Sequence, residues 1–532
     1  MSAETVCVIG SGPAGATAAY FLWQAGFDVT VLDGGLGPEP EIAADIANWL
    51  SSQDDEKLVS AATSRAKNSR LAKPDLAEKL FLGSDFVYRN TDQVLLESVD
   101  GADIRLSLAV GGLSNVWGAA ALPLTSRDVK GWPIAFNDLA PHYEALREII
   151  EISGEKDGLS ASFGDSVTSP AFPPGLQGEA LLRDLAGQRE ALAARGIAFG
   201  RARLAVGSKY SQQPEGCVSC GHCMIGCPHR AIFNAAFVIE SLRGRERFTY
   251  RAGCVVDRVA EDSENVLVQG RGLANDLPFE EKFKRIFIAA GAVSTTAIVA
   301  RSRPGVSTAI RLRDSQLFVF PLLRFRATKN AAIEKTNRLA QAFVEIDDPA
   351  LCDRLVHLQL YGYNDVFMDA VKEKLGPLSR AAPFAINFLA RHAMIAQGFL
   401  HSDYSGSVDL SLSRSGKIQL TGQPNERAHK IAGDTQKYMM RSWRGFGGVP
   451  VPGQIMVPPP GASRHLGASL PMSDPPTGNQ TDLLGRPVGM FRVHAVDASI
   501  LPSIPASTIT YSAMANVVRI VDQVARLSDR TT

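Results

Sequence analysis

The chain has 532 residues, with 55 Lys and Arg balanced by 55 Asp and Glu, so its formal net charge is zero. That balance excludes the basic footprint of a nucleic-acid binder, and 45% hydrophobic residues exclude a disordered chain and allow a large core. Seven cysteines at this length exclude a disulfide scaffold, yet four of them fall between Cys217 and Cys227.

At ~150 residues per domain the length suits about three to four domains, or two large ones. The N-terminus MSAETVCVIG shows no basic region or cleavage site before its first apolar run, and no twin-arginine signal. A reducing cytoplasm is therefore expected, with membrane association as a second possibility.

Thr5–Ile9 is a short apolar run and reads as a buried parallel strand. Residues 10–15 form a glycine turn, 14–25 a helix with small residues facing the strand, and Asp28–Leu32 a second strand ending at Asp33. Together they make one βαβ unit. Residues 39–73 are polar and read as an irregular excursion. Residues 136–152 predict a helix with Asn137 as N-cap. Residues 153–178 are rich in Gly, Ser and Pro and suggest a linker. Residues 255–272 alternate as strand, turn, strand; 285–291 predict a buried strand leading into a helix at 294–301.

From 312 to 420 the pattern turns β-like, with Ser407–Leu412 an example. The apolar run 381–400 is interrupted by Arg391 and His392 and cannot span a bilayer. It reads as a core helix, with a peripheral membrane contact as the alternative. Residues 449–460 form a Pro- and Gly-rich crossing, 493–497 a strand and 514–527 a final helix. The expected architecture is α/β. A discontinuous dinucleotide-binding domain (1–45, 88–152, 230–310, 455–532) carries an inserted, mainly antiparallel substrate domain (311–454) and a cysteine-bearing segment (153–229).

Gly10-Ser11-Gly12-Pro13-Ala14-Gly15 is G-x-G-x-x-G. Gly10 permits the tight turn, Gly12 the approach of a pyrophosphate, and Gly15 close helix–strand packing. The pyrophosphate belongs at the N-terminus of the following helix, where free N–H groups and the dipole favour negative charge. Asp33, eighteen residues after Gly15, suits a ribose hydroxyl and argues against a 2′-phosphate.

Four separated segments resemble the glucose–methanol–choline oxidoreductases, a family of FAD enzymes. They are the turn with Asp33; Gly111-Gly112-Leu113-Ser114-Asn115 with the GWPI segment after it; FIAAGAVSTT from Phe287; and RHLGASLPM from Arg464 with VDASILPSIPASTITYSAMAN from Val496. The resemblance implies FAD held by Gly10, Gly12, Pro13, Ala14, Gly15, Asp33, Gly111, Gly112, Ser114, Asn115, Val256, Ala290, Gly291 and Asp497. The 111–118 loop has no histidine, so a non-covalent flavin is expected. The family's catalytic histidine falls on His465, and its second position, His or Asn elsewhere, falls on Thr508. A hydroxyl is no base at neutral pH, so His465 would act alone, with Thr508 orienting the substrate oxygen. An imidazole with an ordinary pKa near ~6.5 suits proton removal from an alcohol. A sugar, cyclitol or similar alcohol is the implied substrate class. The histidines outside the cysteine run, His357 among them, read as structural.

Cys217, Cys220, Cys223 and Cys227, with Pro228, form C-x2-C-x2-C-x3-C-P, the run of bacterial ferredoxins. It points to a [4Fe–4S] or [3Fe–4S] cluster. Zinc, disulfides and free thiols are the alternatives. Some membrane-linked dehydrogenases of the family carry a similar run. A cluster would pass electrons singly to a quinone, cytochrome or ferredoxin, whereas an oxygen-using oxidase needs none. A non-catalytic flavin redox module is a third reading. Cys7, Cys254 and Cys352 read as buried packing residues. Phe384, Phe388, His401, Asp403 and Tyr404 are cleft candidates, with a surface or core role the simpler reading of each.

Overall fold

The computed structural model describes residues 4–69, 78–214, 216–303, 309–331, 334, 338–364, 376–377 and 383–529. Its centre is a five-stranded, all-parallel sheet. Thr5–Ile9 lies in the middle, flanked by Asp28–Leu32 and Phe248–Arg251 on one side and Arg285–Ile288 and Val493–Ala495 on the other. Its strands are apolar on both faces because helices cover both. Pro13–Gln24 packs against Ala235–Leu242 and the C-terminal helix Thr510–Asp529. The three-stranded antiparallel sheet Cys254–Glu261, Val266–Gly272 and Pro278–Phe283 is the predicted strand-turn-strand with one strand more.

The second large unit is a six-stranded antiparallel sheet. Its order is Gly448–Pro450, Leu317–Arg324, Ala393–Leu400, Val356–Tyr361, Ala342–Ile346, Ile197–Arg201. Side chains alternate between faces with period two. Phe318, Phe320, Leu358, Leu360 and Ala396 pack with Leu181, Leu185, Ile431 and Met439 from the helices Leu176–Ala186 and Glu426–Arg441. The residues between them, Leu317, Gln359, Tyr361, Gln397 and Phe399, face a cavity shared with the parallel sheet. The chain is thus a mixed α/β protein with a Rossmann-like unit and an antiparallel-sheet unit.

Several elements differ from their sequence reading. The 39–73 excursion contains two helices, Pro40–Ser52 and Asp55–Asn68; residues 70–77 lie outside the described residues. Pro40 opens the first, and the Asp54 carboxylate caps the second by accepting from Lys57 N at 3.0 Å. The helix at 136 is capped at Ala135, whose N–H donates to Asp138 at 2.7 Å, rather than at Asn137. The 381–400 run is two elements. Pro383–His392 is a helix with an exposed face and Ala393–Leu400 a sheet strand, while 381 and 382 lie outside the described residues. The segment 153–229 is no separate unit, because Ile197–Arg201 forms an edge of the six-stranded sheet. Leu96–Asp100 likewise pairs in parallel with Ile418–Gln423 in a four-stranded sheet. Among the described residues no helix is long and apolar enough to cross a membrane.

Candidate active site

The glycine turn is built by steric necessity. Gly10 has φ +96°, and a Cβ there would lie 2.6 Å from the Ala289 carbonyl. A Cβ on Gly15 would lie 2.0 Å from the Gly10 carbonyl, so helix and strand meet too closely for any side chain. At Gly12 nothing lies within 4 Å, which leaves the helix N-terminus open to the cavity. The space extends from this turn to His465 and measures about 520 Å³, well inside the range of cofactor sites.

Asp33 sits at the end of its strand, 7% exposed. Its Oδ2 accepts from Ser11 Oγ (2.8 Å), Gly35 N (3.1 Å) and Tyr250 OH (2.9 Å), and Oδ1 from Ser11 N (3.2 Å). Burial raises its pKa and these donors oppose the rise. Ser11 Oγ also accepts from Gly111 N at 3.0 Å, fastening the second glycine loop to the first. Motif spacing alone treats Ser11 as a filler between glycines.

The second loop is a 3-10 turn, Gly112–Asn115, entered through Gly111 at φ +82°. A Cβ on Gly111 would meet Asn234 Oδ1 at 2.4 Å. Asn115 Nδ2 donates to the Val110 and Gly112 carbonyls at 2.9 and 2.7 Å, and its Oδ1 accepts from Asn234 Nδ2. Of the residues expected to hold cofactor, Gly10, Gly12, Pro13, Ala14, Asp33, Gly112, Ser114, Val256, Ala290, Gly291 and Asp497 line the cavity. Gly15, Gly111 and Asn115 do not; they shape the turns that do. Cys254, read as buried packing, is half-buried at the cavity wall, whereas Cys7 and Cys352 are buried.

His465 lies at the far end. Its backbone N–H donates to Ser463 Oγ at 2.9 Å and its ring packs 5.1 Å from Phe399. Its buried Nδ1 has no protein partner. Burial first, and His357 second, push its pKa down to about 4, so the imidazole is neutral at neutral pH. Thr508 is in the same cavity, and its hydroxyl oxygen accepts from Leu122 N at 3.1 Å.

Opposite them stands the sheet wall. Gln359 and Gln397 are register partners on neighbouring strands. Behind them His357 donates from Nδ1 to the buried Glu345 carboxylate at 2.6 Å, leaving Nε2 to accept from Gln359 Nε2 at 3.3 Å. Tyr361 OH donates to Gln359 Oε1 at 3.0 Å. This wall comes from long-range strand pairing, and no short motif announces it. None of Phe384, Phe388, His401, Asp403 and Tyr404 lines the cavity.

The four clustered cysteines share one small, apolar hollow with His229 and Arg338. His222 binds Asp55 through Nε2 at 2.7 Å, and Trp49 packs edge-on against both His222 and His229. The run touches the main cavity through Met224 and through Lys79. The Lys79 ammonium donates to the Trp117 carbonyl at 2.9 Å, and burial lowers its pKa to about 8 while Cys223 and Cys227 oppose the shift. Burial raises the Cys220 and Cys223 thiols to about 11 and about 12.

All seven cysteines are free thiols, so the disulfide alternative is not realised. Among the described residues no three His, Cys, Asp or Glu side chains are grouped to hold a metal ion. The hollow measures about 20 Å³, room for a water rather than an inorganic cube. As the side chains stand, their grouping supports neither the expected iron–sulfur cluster nor zinc.

Residues 8–38 match the NAD(P)-binding Rossmann-like domain family. No curated protein matches the sequence. Among solved structures the fold is similar to pyridoxine 4-oxidase from Mesorbium loti, at 13% identity and a TM-score of 0.60, over 98% of this chain and 99% of that one.

Proposed function

We propose that the protein is an FAD-dependent oxidoreductase of the glucose–methanol–choline type that oxidises a CH–OH group, with His465 as the base. The observation that carries this reading is the His465 imidazole. It is neutral, enclosed, unsatisfied at Nδ1, and set in the same cavity as the glycine turn. The fold shared with pyridoxine 4-oxidase, a flavin-type architecture by the four segments above, supports it.

The residues present fit FAD. The open helix N-terminus at Gly12–Ala14 suits the diphosphate. Asp33 Oδ1, with one protein donor against three on Oδ2, suits a ribose hydroxyl. Val256 suits the adenine side, while Gly112, Ser114, Ala290, Gly291 and Asp497 line the remainder. When bound, FAD supplies the hydride acceptor.

His465 takes the hydroxyl proton of the substrate as hydride leaves carbon. Thr508 accepts a backbone N–H, which leaves its own hydrogen available to a substrate oxygen. Gln359 and Gln397 offer uncharged donors and acceptors, which favours a neutral hydroxyl-bearing substrate such as a sugar or cyclitol. Four of the charged groups of the cavity pair among themselves: Arg464 with Glu78 and Asp103, and Arg105 with Glu78.

The name of the structural neighbour, pyridoxine 4-oxidase, favours oxygen as the electron acceptor over a quinone, cytochrome or ferredoxin reached through iron–sulfur. Turnover of candidate alcohols under air, with peroxide measured, separates the two routes. His465→Ala is expected to lower turnover by ~10²–10⁴ with flavin content unchanged. Unchanged turnover would remove His465 as base, and no turnover of any candidate alcohol by the unaltered, flavin-loaded protein would leave the non-catalytic module as the reading. Iron and acid-labile sulfide in anaerobically purified protein would reinstate the cluster.

A further inference from the structure

The helix Pro383–His392 carries an apolar surface on the outside of the protein. Phe384 is 83% exposed and Phe388, one turn on, 47%. Such side chains are ordinarily covered, and a contiguous group of them marks a contact site. Here the group continues beyond the helix. His392 Nδ1–H donates to the Arg324 carbonyl at 2.7 Å, and Thr328 N donates to the Arg391 carbonyl at 2.9 Å, so the helix end is fastened to residues 324–328. That stretch presents Phe325, 53% exposed, whose ring meets Trp443, 41% exposed, edge-on at 5.4 Å. Arg444 lies over the Trp443 ring at 5.2 Å.

Within the described stretches that carry these four aromatics the charges have one sign. Arg326, Lys329, Arg441 and Arg444 are exposed and Arg391 is half-exposed. No Asp or Glu occurs in 324–329, 383–392 or 441–447. Asp184, which reaches this region from Leu176–Ala186, is bound by the buried Arg324. In a chain of zero net charge this is a local excess of cations. Aromatic side chains flanked by Arg and Lys are the composition that settles at a lipid headgroup boundary. A two-fold contact between copies would set the same cations against each other.

We infer that this patch docks the protein peripherally on an anionic membrane surface, with Phe384 and Phe388 entering the headgroup–acyl boundary and the basic residues meeting lipid phosphates.

The test is sedimentation of the whole flavin-loaded protein with vesicles of phosphatidylcholine, alone or mixed with phosphatidylglycerol. Binding is expected to the mixed vesicles, weaker to phosphatidylcholine alone, and reduced by salt. The double variant Phe384→Ser/Phe388→Ser, altered only at exposed positions, should lose about tenfold or more in vesicle affinity while keeping flavin content. Arg391→Glu/Arg444→Glu should remove the preference for the anionic lipid. Absence of binding to either vesicle, or equal binding by the phenylalanine variant, overturns the inference. A concentration-dependent dimer that the phenylalanine variant dissolves, with no vesicle binding, overturns it in favour of a second copy of the chain.

Discussion

Single residues carry the pH behaviour. His465 is held neutral down to about pH 4, so the proposed base is in its proton-accepting form across the neutral range. The acid limb of kcat/KM should fall with a midpoint near 4 rather than near the ordinary ~6.5 of histidine, which a pH–rate profile reads directly. Stability moves through the same group and through His494, whose Nδ1–H donates to the Leu484 carbonyl at 2.8 Å and whose pKa burial lowers to about 3. Between these values and ~6.5 the unfolded chain binds the protons and the folded one does not. Stability is therefore full above that window and is lost as pH falls through it, which urea midpoints at a series of pH values would show. Glu345 and His357 are 2% and 0% exposed as a pair, and His357 meets the cavity wall at Gln359 and at the Phe399 ring. The glycines of the first turn were readable from sequence because a backbone carbonyl 2.0 Å from a Cβ at Gly15 tolerates no other residue. His357 was not, because its importance depends on which strand Val356–Tyr361 pairs with.

At the scale of elements, the helices Pro40–Ser52 and Asp55–Asn68 act as a clamp on the cysteine loop. Trp49 is 2% exposed, donates to Asp55 Oδ1 at 2.8 Å, and packs with Ile42, Leu58 and Leu82 beside Cys220 and Ile225. Removing that ring leaves a cavity and takes one donor from Asp55. Trp49→Ala should cost about 3–5 kcal/mol, read from the denaturation midpoint, and should speed thiol modification at Cys220. The polar composition of 39–73 hid both helices. The signals were local, Pro40 at a first helical turn and Asp54 three residues before Lys57, and weaker than the absent hydrophobic stripe. The 381–400 run misled in the opposite way. It is apolar on both sides of Arg391 and His392, but the conformation changes from helix to strand at Ala393, where pairing with Leu317–Arg324 begins.

In the whole molecule, the cavity is assembled from distant parts of the chain: the turn near residue 10, the loop near 112, strands near 359 and 397, and the segments at 465 and 508. Neither sheet unit contains it alone. Adding FAD to flavin-free protein should therefore raise the midpoint of thermal unfolding, by about 2.7 kcal/mol of stabilisation at a hundredfold excess over Kd, which calorimetry measures. The first βαβ unit was legible because its pattern is local, whereas the order of the parallel sheet, with Phe248–Arg251 at its edge, was not. The six-stranded sheet was legible as β structure but not in its order, since Ile197–Arg201 crosses from one end of the sequence pattern to pair with Ala342–Ile346.

The placement of Trp49 between two imidazoles has an optical consequence. It is one of five tryptophans, with ring centroids 5.2 Å from His222 and 5.1 Å from His229. A charged imidazole at that range quenches indole emission and a neutral one does so far less. The fluorescence difference between the protein and its Trp49→Phe variant is thus a built-in dye beside the cysteine loop. It reports protons, oxidants or metal ions arriving there without any label being attached.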